Sequence, residues 1–321
     1  MSRKILVSAA LAAASVLALA GCAGATPGSS GSSAAADGKV QVVASTNVYG
    51  DIAAAIGGDR VDVTSIISST AQDPHSYEAS AEDQLTISRA GLIIENGGGY
   101  DSFMDSLIDA TGTEAPVITA VEFSHDYPGA EAHSDDDHDH EDHDHIEGFN
   151  EHVWYDPHTI AHVAEEIAHE LGEIDAAGAA TYEQNYATFA AGIDDLEASL
   201  ADIAAAHTGQ KVFVTEPVPL YLIAAAGLEN ATPPAFSEAV EEGQDVPPAT
   251  LLEALNILKS GDVSTVIVNA QTGGAETTQV TDAAKAAGIP VLEFTELVPE
   301  GDTYLTWMAQ NISDLAGTLT R

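Results

Sequence analysis

Residues 176–206 read AAGAATYEQNYATFAAGIDDLEASLADIAAA. The stretch has no proline and is rich in Ala, Glu and Asp, and it repeats Tyr182, Tyr186, Phe189, Ile193, Leu196, Leu200 and Ile203 at three- and four-residue steps. Such spacing lines one face of a helix with apolar side chains. The predicted helix has about 30 residues and a length of roughly 45 Å at 1.5 Å rise per residue. Its stripe reads as core packing, and a helix this long reads as a stiff connector between what precedes and follows it.

Both flanks alternate short apolar runs with helical patterns. In the first half, strands are expected at Val40–Ser45, Val61–Ile67, Gly91–Glu95 and Pro116–Thr119, with helices near 48–56, 81–89 and 100–110. His158–Leu171 carries Ile160, Val163, Ile167 and Leu171 at helical spacing. In the second half, strands are expected at Lys211–Thr215, Val263–Asn269 and Pro290–Phe294. Helices are expected there near 218–226, 249–259, 276–287 and 302–319. Strands separated by helices of this length predict an α/β fold with parallel sheets covered on both faces.

The N-terminus reads as an export leader over residues 1–21. Arg3 and Lys4 precede an apolar run, Ile5 to Ala20, shorter than the ~20 residues a membrane-spanning helix needs. Leu19-Ala20-Gly21-Cys22 resembles a lipobox, so Cys22 is the expected lipidation point and first residue of the mature chain. It is the only cysteine, which leaves no internal disulfide and no thiolate ligand. Residues 22–38 then form a Gly/Ser/Ala tether. Beyond it, residues 39–174 are expected to form one lobe, 175–207 the connecting helix and 208–321 a second lobe.

With 51 acidic and 9 basic residues the formal net charge is -42, and no Lys or Arg occurs between Arg89 and Lys211. Nucleic acid is excluded as a partner, because its binding needs clustered cationic side chains. The same surface attracts cations. Within an acidic loop over 125–148, residues 133–145 hold five His and seven acids in thirteen positions. His133, His138, His140, His143 and His145 thus form a solvated chelating tract suited to auxiliary metal capture.

Outside that tract the histidines are His75, His125, His152, His158, His162, His169 and His207, and none follows His207. A metal site shared between the halves must therefore draw carboxylates from the second half. Three segments place a ligand-capable side chain beside a proline that can open a helix: Asp73-Pro74-His75, His152-Val153-Trp154-Tyr155-Asp156-Pro157 and Thr215-Glu216-Pro217. Glu296 follows the last strand. In open α/β sheets, ligands bind at the carboxyl ends of strands, near a topological switch. Two imidazoles and two carboxylates suit zinc as a tetrahedron, and also manganese or iron. Four protein ligands leave no metal-bound water to activate, which favours carriage over hydrolysis. His158 and His162 share a helix face, but Thr159 stands where a His-Glu-x-x-His hydrolase would have its Glu.

At these residues the chain resembles the metal-binding lipoproteins of zinc and manganese ABC importers. The resemblance rests on Asp73-Pro74-His75-Ser76-Tyr77-Glu78, Gly91-Leu92-Ile93-Ile94-Glu95-Asn96-Gly97, the His152–Pro157 segment, Thr215-Glu216-Pro217 with Tyr221-Leu222 and Gly227-Leu228, and Phe294-Thr295-Glu296. It implies two α/β lobes spanned by a long helix, with the metal in the cleft between them. By position it implies His75, His152, Glu216 and Glu296 as ligands. Glu216 stands where zinc-type members have His and manganese-type members Glu. Glu296 stands where Asp is usual, which leaves Glu293 and Asp302 as alternatives.

The expected function is an extracytoplasmic, membrane-anchored carrier. It captures Zn2+, with Mn2+ as the alternative, and delivers it to the permease and ATPase of an importer, acting as a monomer. A manganese- or iron-binding member, a metal-dependent hydrolase and a surface adhesin are the competing readings.

Overall fold

The computed structural model describes residues 38–128 and 148–319. Four strands form the first sheet: β1 (Val40–Thr46), β2 (Val61–Ile67), β3 (Leu92–Glu95) and β4 (Val117–Thr119), in the order β2-β1-β3-β4. The second sheet holds β5 (Lys211–Val214), β6 (Glu229–Asn230), β7 (Val263–Asn269) and β8 (Val291–Phe294), in the order β6-β5-β7-β8. Every pairing is parallel. Each sheet steps first to one side and then crosses to the other, which puts a switch point between β1 and β3 and another between β5 and β7. Runs such as Val42-Val43-Ala44 and Leu92-Ile93-Ile94 are fully buried, as strands covered on both faces must be.

Parallel strands need crossovers. In the first half these are α1 (Asn47–Gly57), α2 (Ala81–Ile87) and α3 (Phe103–Thr111). Next come α4 (Pro157–Ile174) and α5 (Ala179–His207). The second half has α6 (Leu220–Ala225), α7 (Pro234–Glu241), α8 (Pro248–Ser260), α9 (Ala275–Ala287) and α10 (Tyr304–Leu319). Two elements, β6 and α7, are absent from the sequence expectation. The first is only two residues long, and the second hides behind Pro233-Pro234, which the helix uses as its N-cap and first position. Helix α3 starts three residues later than expected. Gly97, Gly98 and Gly99 all have φ between 68° and 93°, a left-handed turn that other residues avoid. At Gly97 a Cβ would also lie 2.4 Å from Thr119 Cγ2.

The 29-residue α5 is about 44 Å long at 1.5 Å per residue. It is not a bare strut. Phe189, Ile193, Leu196, Leu200 and Ile203 are buried in an apolar cluster that also takes in Val42 and Ile94 of the first sheet and Val214 and Ile267 of the second. Burying each such side chain stabilises the fold by about 1.5–3 kcal/mol. Two further clusters cover the other faces. One is built around Phe213, Phe236 and Val266 and the other around Val43, Ile93 and Phe103, the latter joined by Leu297 from the loop after β8.

Candidate metal centre

Loops leaving the carboxyl ends of both sheets meet in one region. His75 follows β2, Tyr100 follows β3 and His152 lies beyond β4. Glu216 follows β5, Asn269 ends β7 and Glu296 follows β8. Hydrogen bonds join the two groups: Tyr100 Oη donates to Glu296 Oε2 at 3.0 Å, and Gln271 Nε2 donates to the Gln72 carbonyl at 3.5 Å.

His75 sits in a short 3-10 turn, Pro74–Ser76, capped by Asp73. Its backbone N–H donates to Asp73 Oδ1 at 3.0 Å. Its ring stands edge-on to Tyr100, with centroids 4.8 Å apart, and 5.9 Å from the ring of His152. His152 is 1 % exposed and opens the 3-10 turn Val153–Tyr155, after which Asp156 caps α4. Its Nδ1 lies 2.7 Å from Asn150 Oδ1. Asn150 Nδ2 donates to the Pro217 carbonyl at 3.2 Å, which fixes the amide with its oxygen toward the imidazole. Nδ1 is therefore the protonated nitrogen, and Nε2 carries the lone pair needed to bind a cation.

The carboxylates of Glu216 and Glu296 are 3 % and 2 % exposed. Asn269 holds both: its Nδ2 donates to Glu216 Oε2 at 2.9 Å and to Glu296 Oε1 at 2.6 Å. The Thr272 hydroxyl donates to the other oxygen of Glu216. Gln271 Oε1 accepts from the backbone N–H groups of Glu296 and Leu297, at 2.8 and 3.1 Å. Of the three acids considered for the last position, Glu296 is the buried one, whereas Glu293 and Asp302 are exposed.

A third acid reaches the region from α7. Glu241 Oε1 lies 3.6 Å from His152 Nε2. One ligand atom each from His75, His152 and Glu241 all lie within 4.8 Å of one another. Sequence reading missed Glu241 because it missed α7, and the signal available was Pro233-Pro234 opening an eight-residue helix. Asn269 and Tyr100 were also missed, because neutral donors carry no motif.

These acids are held in an uncomfortable state. Burial raises the Glu216 carboxyl above its ordinary value, and nearby Asp73 adds to this, partly offset by the bonds from Thr272 and Asn269. Burial pushes Glu296 up to about 7, with Glu216 and Asp73 adding and the bonds from Asn269 and Tyr100 opposing. Glu241 is pushed up to about 9 by burial and by the charges of Glu151, Glu216, Glu296 and Glu242. Mutually repelling buried carboxylates beside two imidazoles are relieved by a divalent cation. Nitrogen and oxygen donors of this kind suit zinc, manganese and iron.

The remaining histidines are dispersed. The rings of His158 and His162 lie 4.9 Å apart on the exposed face of α4, with His158 Nδ1 3.6 Å from Glu197. His125 is exposed beside Asp126, His169 is exposed, and His207 pairs with Gln210. Cys22, the leader and the tether up to residue 37, and His133, His138, His140, His143 and His145 lie outside the described residues. Among the described residues no helix is long and apolar enough to cross a membrane.

A protein-family model described as ZnuA, zinc-uptake complex component A, periplasmic, matches residues 42–318. The iron ABC transporter substrate-binding lipoprotein MtsA of Streptococcus pyogenes is 27% identical over 312 residues, covering 91% of this chain and 93% of its own. The manganese ABC transporter substrate-binding lipoprotein PsaA of Streptococcus mitis is 27% identical over 327 residues, covering 96% of each. The periplasmic zinc-binding protein TroA from Treponema pallidum superposes with a TM-score of 0.71 at 18% identity, over 88% of this chain and all of that one. That last likeness concerns the fold alone.

Proposed function

Because this chain belongs to the family of zinc-uptake complex component A, we propose that it captures one divalent transition cation between its two sheets and passes it to the permease of an ABC importer. His75, His152, Glu216 and Glu296 are the ligands in this reading, and the cation is cargo. The observation that supports it is a chain of contacts: the rings of His75 and His152 lie 5.9 Å apart, Tyr100 stands against His75 and donates to buried Glu296, and Asn269 joins Glu296 to buried Glu216. The family works in transport, and we assign no catalytic step.

Zinc is the preferred cargo. The divalent affinity order places zinc above manganese at a site of this donor type, and the acidic tract with His133, His138, His140, His143 and His145 suits zinc collection. Manganese is the second reading, favoured by Glu216 at a position where zinc-type members have His and by the name of the manganese relative. The reading includes a lipid anchor at Cys22 outside the cytoplasm, a monomeric carrier, and a permease with its ATPase as partners.

Elemental analysis of protein purified without added metal tests both parts. The intact chain is expected to retain about one equivalent of zinc at the cleft, and a chain lacking residues 133–145 to keep that equivalent while losing any excess. The double variant H75A/H152A is expected to lose it. Unchanged metal content in the double variant would reject the site.

A further inference from the structure

Glu241 closes α7 and is not one of the four ligands named above. We propose that Glu241 is a further ligand of the captured cation, supplied by α7 and acting together with His75 and His152. The inference rests on reading the cleft as a metal site, and it adds a residue that neither the motifs nor the resemblance assigns.

Distance is the first argument. Two donors about 2.0–2.2 Å from one ion at the tetrahedral angle lie roughly 3.3–3.6 Å apart. Glu241 Oε1 and His152 Nε2 lie 3.6 Å apart, and one ligand atom of His75 joins them within 4.8 Å. Small side-chain rotations suffice to close the three on one cation.

Chemistry is the second. Because Asn150 fixes the proton of His152 on Nδ1, the lone pair of Nε2 faces an oxygen of Glu241. At 3.6 Å the pair is beyond hydrogen-bonding range. Glu241 Oε1 is buried and has no hydrogen-bond partner among the described residues, a costly arrangement for a carboxylate oxygen. Glu216 and Glu296 differ, since both oxygens of each accept a hydrogen bond. A cation shared with the imidazole would satisfy the Glu241 oxygen that the fold leaves without a hydrogen bond.

The third argument is support from the fold. Pro234 fixes the first turn of α7. Phe236 is fully buried against Phe213, with ring centroids 5.5 Å apart. The helix that carries Glu241 is thus anchored in the core of the second sheet, while His75 and His152 come from the first half. A ligand so placed gives the second sheet a direct hold on the cation where the imidazoles bind it. With Glu241 the donors number two nitrogens and three carboxylates, more than a tetrahedron needs. The added oxygen widens the range of ions the cleft can accept toward manganese.

The test is zinc affinity, measured by competition with a chromophoric chelator, for the intact protein and for E241Q, E241A, E242Q and H75A/H152A. Glu242 is the exposed neighbour, and its removal controls for loss of charge alone. The expected result is a Kd raised tenfold or more in E241Q and E241A, with E242Q within twofold of the parent. E241Q keeps the shape of the side chain and decides the matter if E241A does not fold. A Kd within twofold of the parent in E241Q, or an equal loss in E242Q, overturns the proposal. If binding is then still lost in H75A/H152A, the carrier reading stands without Glu241, whereas stoichiometric zinc in that double variant removes both.

Discussion

Glu296→Gln should make the metal-free protein more stable at pH 8 than the parent, by an amount that grows with pH. In the fold, burial pushes the Glu296 carboxyl up to about 7, from an ordinary value of 4.5. Between those values the folded state holds a proton that the unfolded chain has released. Stability therefore falls as pH rises, because it changes with the difference in protons bound, unfolded minus native. At 2 % exposure solvent screening offers little discount. Taken over pH 5 to 8, the shift corresponds to about 2.5 kcal/mol lost by the parent. Glutamine carries no proton that titrates; its one oxygen keeps the bond from Asn269, while its NH2 can only donate toward the Tyr100 oxygen. Glu216 and Glu241 remain in both proteins, raised in the same direction; E296Q also removes one of the charges that raise Glu241, which adds to its advantage at high pH. Urea unfolding in the presence of a chelator gives the comparison. The advantage of E296Q over the parent should widen by about 2–3 kcal/mol from pH 5 to pH 8. An advantage that stays constant within about 0.5 kcal/mol across that window would refute the picture of a buried carboxylate straining against ionisation. Saturating zinc should reverse the trend for the parent, since the cation takes the place of the proton.

Two further outcomes follow from the same geometry. Asn269→Leu removes the donor shared by Glu216 and Glu296, so the metal-free protein at pH 8 should lose about 3 kcal/mol, the value of one to two hydrogen bonds to charged groups, as read by chemical denaturation. Zinc binding at pH 7 should expel about one to two protons, chiefly from Glu241 and Glu296, whose values are about 9 and about 7. Calorimetry in two buffers of different ionisation enthalpy counts those protons, and an observed heat independent of buffer would contradict the assignment.

Strands such as Val61–Ile67 and Val263–Asn269 are legible to the residue, because their β-branched runs end at turn chemistry that only one conformation satisfies. The start of α2 is equally legible, since Ser80 and Asp83 form the capping box that their spacing demands. The connector was legible as a helix but not in its role. A stripe of Phe189, Ile193 and Leu196 states that one face is buried, but not that the partner is a core shared by both sheets. At the site, histidines beside prolines announce themselves, whereas Asn269 and Tyr100 do not. Their function lies in where β7 ends and where the three-glycine turn delivers a phenol, and those positions follow from strand order rather than local sequence. Glu241 was illegible for a third reason. In a chain with 51 acids, one more glutamate carries no signal until a helix is seen to carry it to an imidazole.

The choice of donors around Glu216 and Glu296 bears on how a carrier can let go of what it binds. Asn269, Thr272 and Tyr100 are neutral, and they satisfy the carboxylate oxygens without cancelling their charge. A lysine in the place of Asn269 would form buried ion pairs, and an arriving cation would have to break them at about 3–5 kcal/mol. Neutral donors hold the geometry and leave the charge uncompensated, so the cation meets a site already shaped. Burial limits the cost of losing it, because it raises Glu296 to about 7 against the opposing pull of these donors, and the carboxylate can take up a proton as a bound metal leaves. On the proposed ligand set, exchange of a divalent cation for protons within this hydrogen-bond frame would let one set of side chains serve both capture and release.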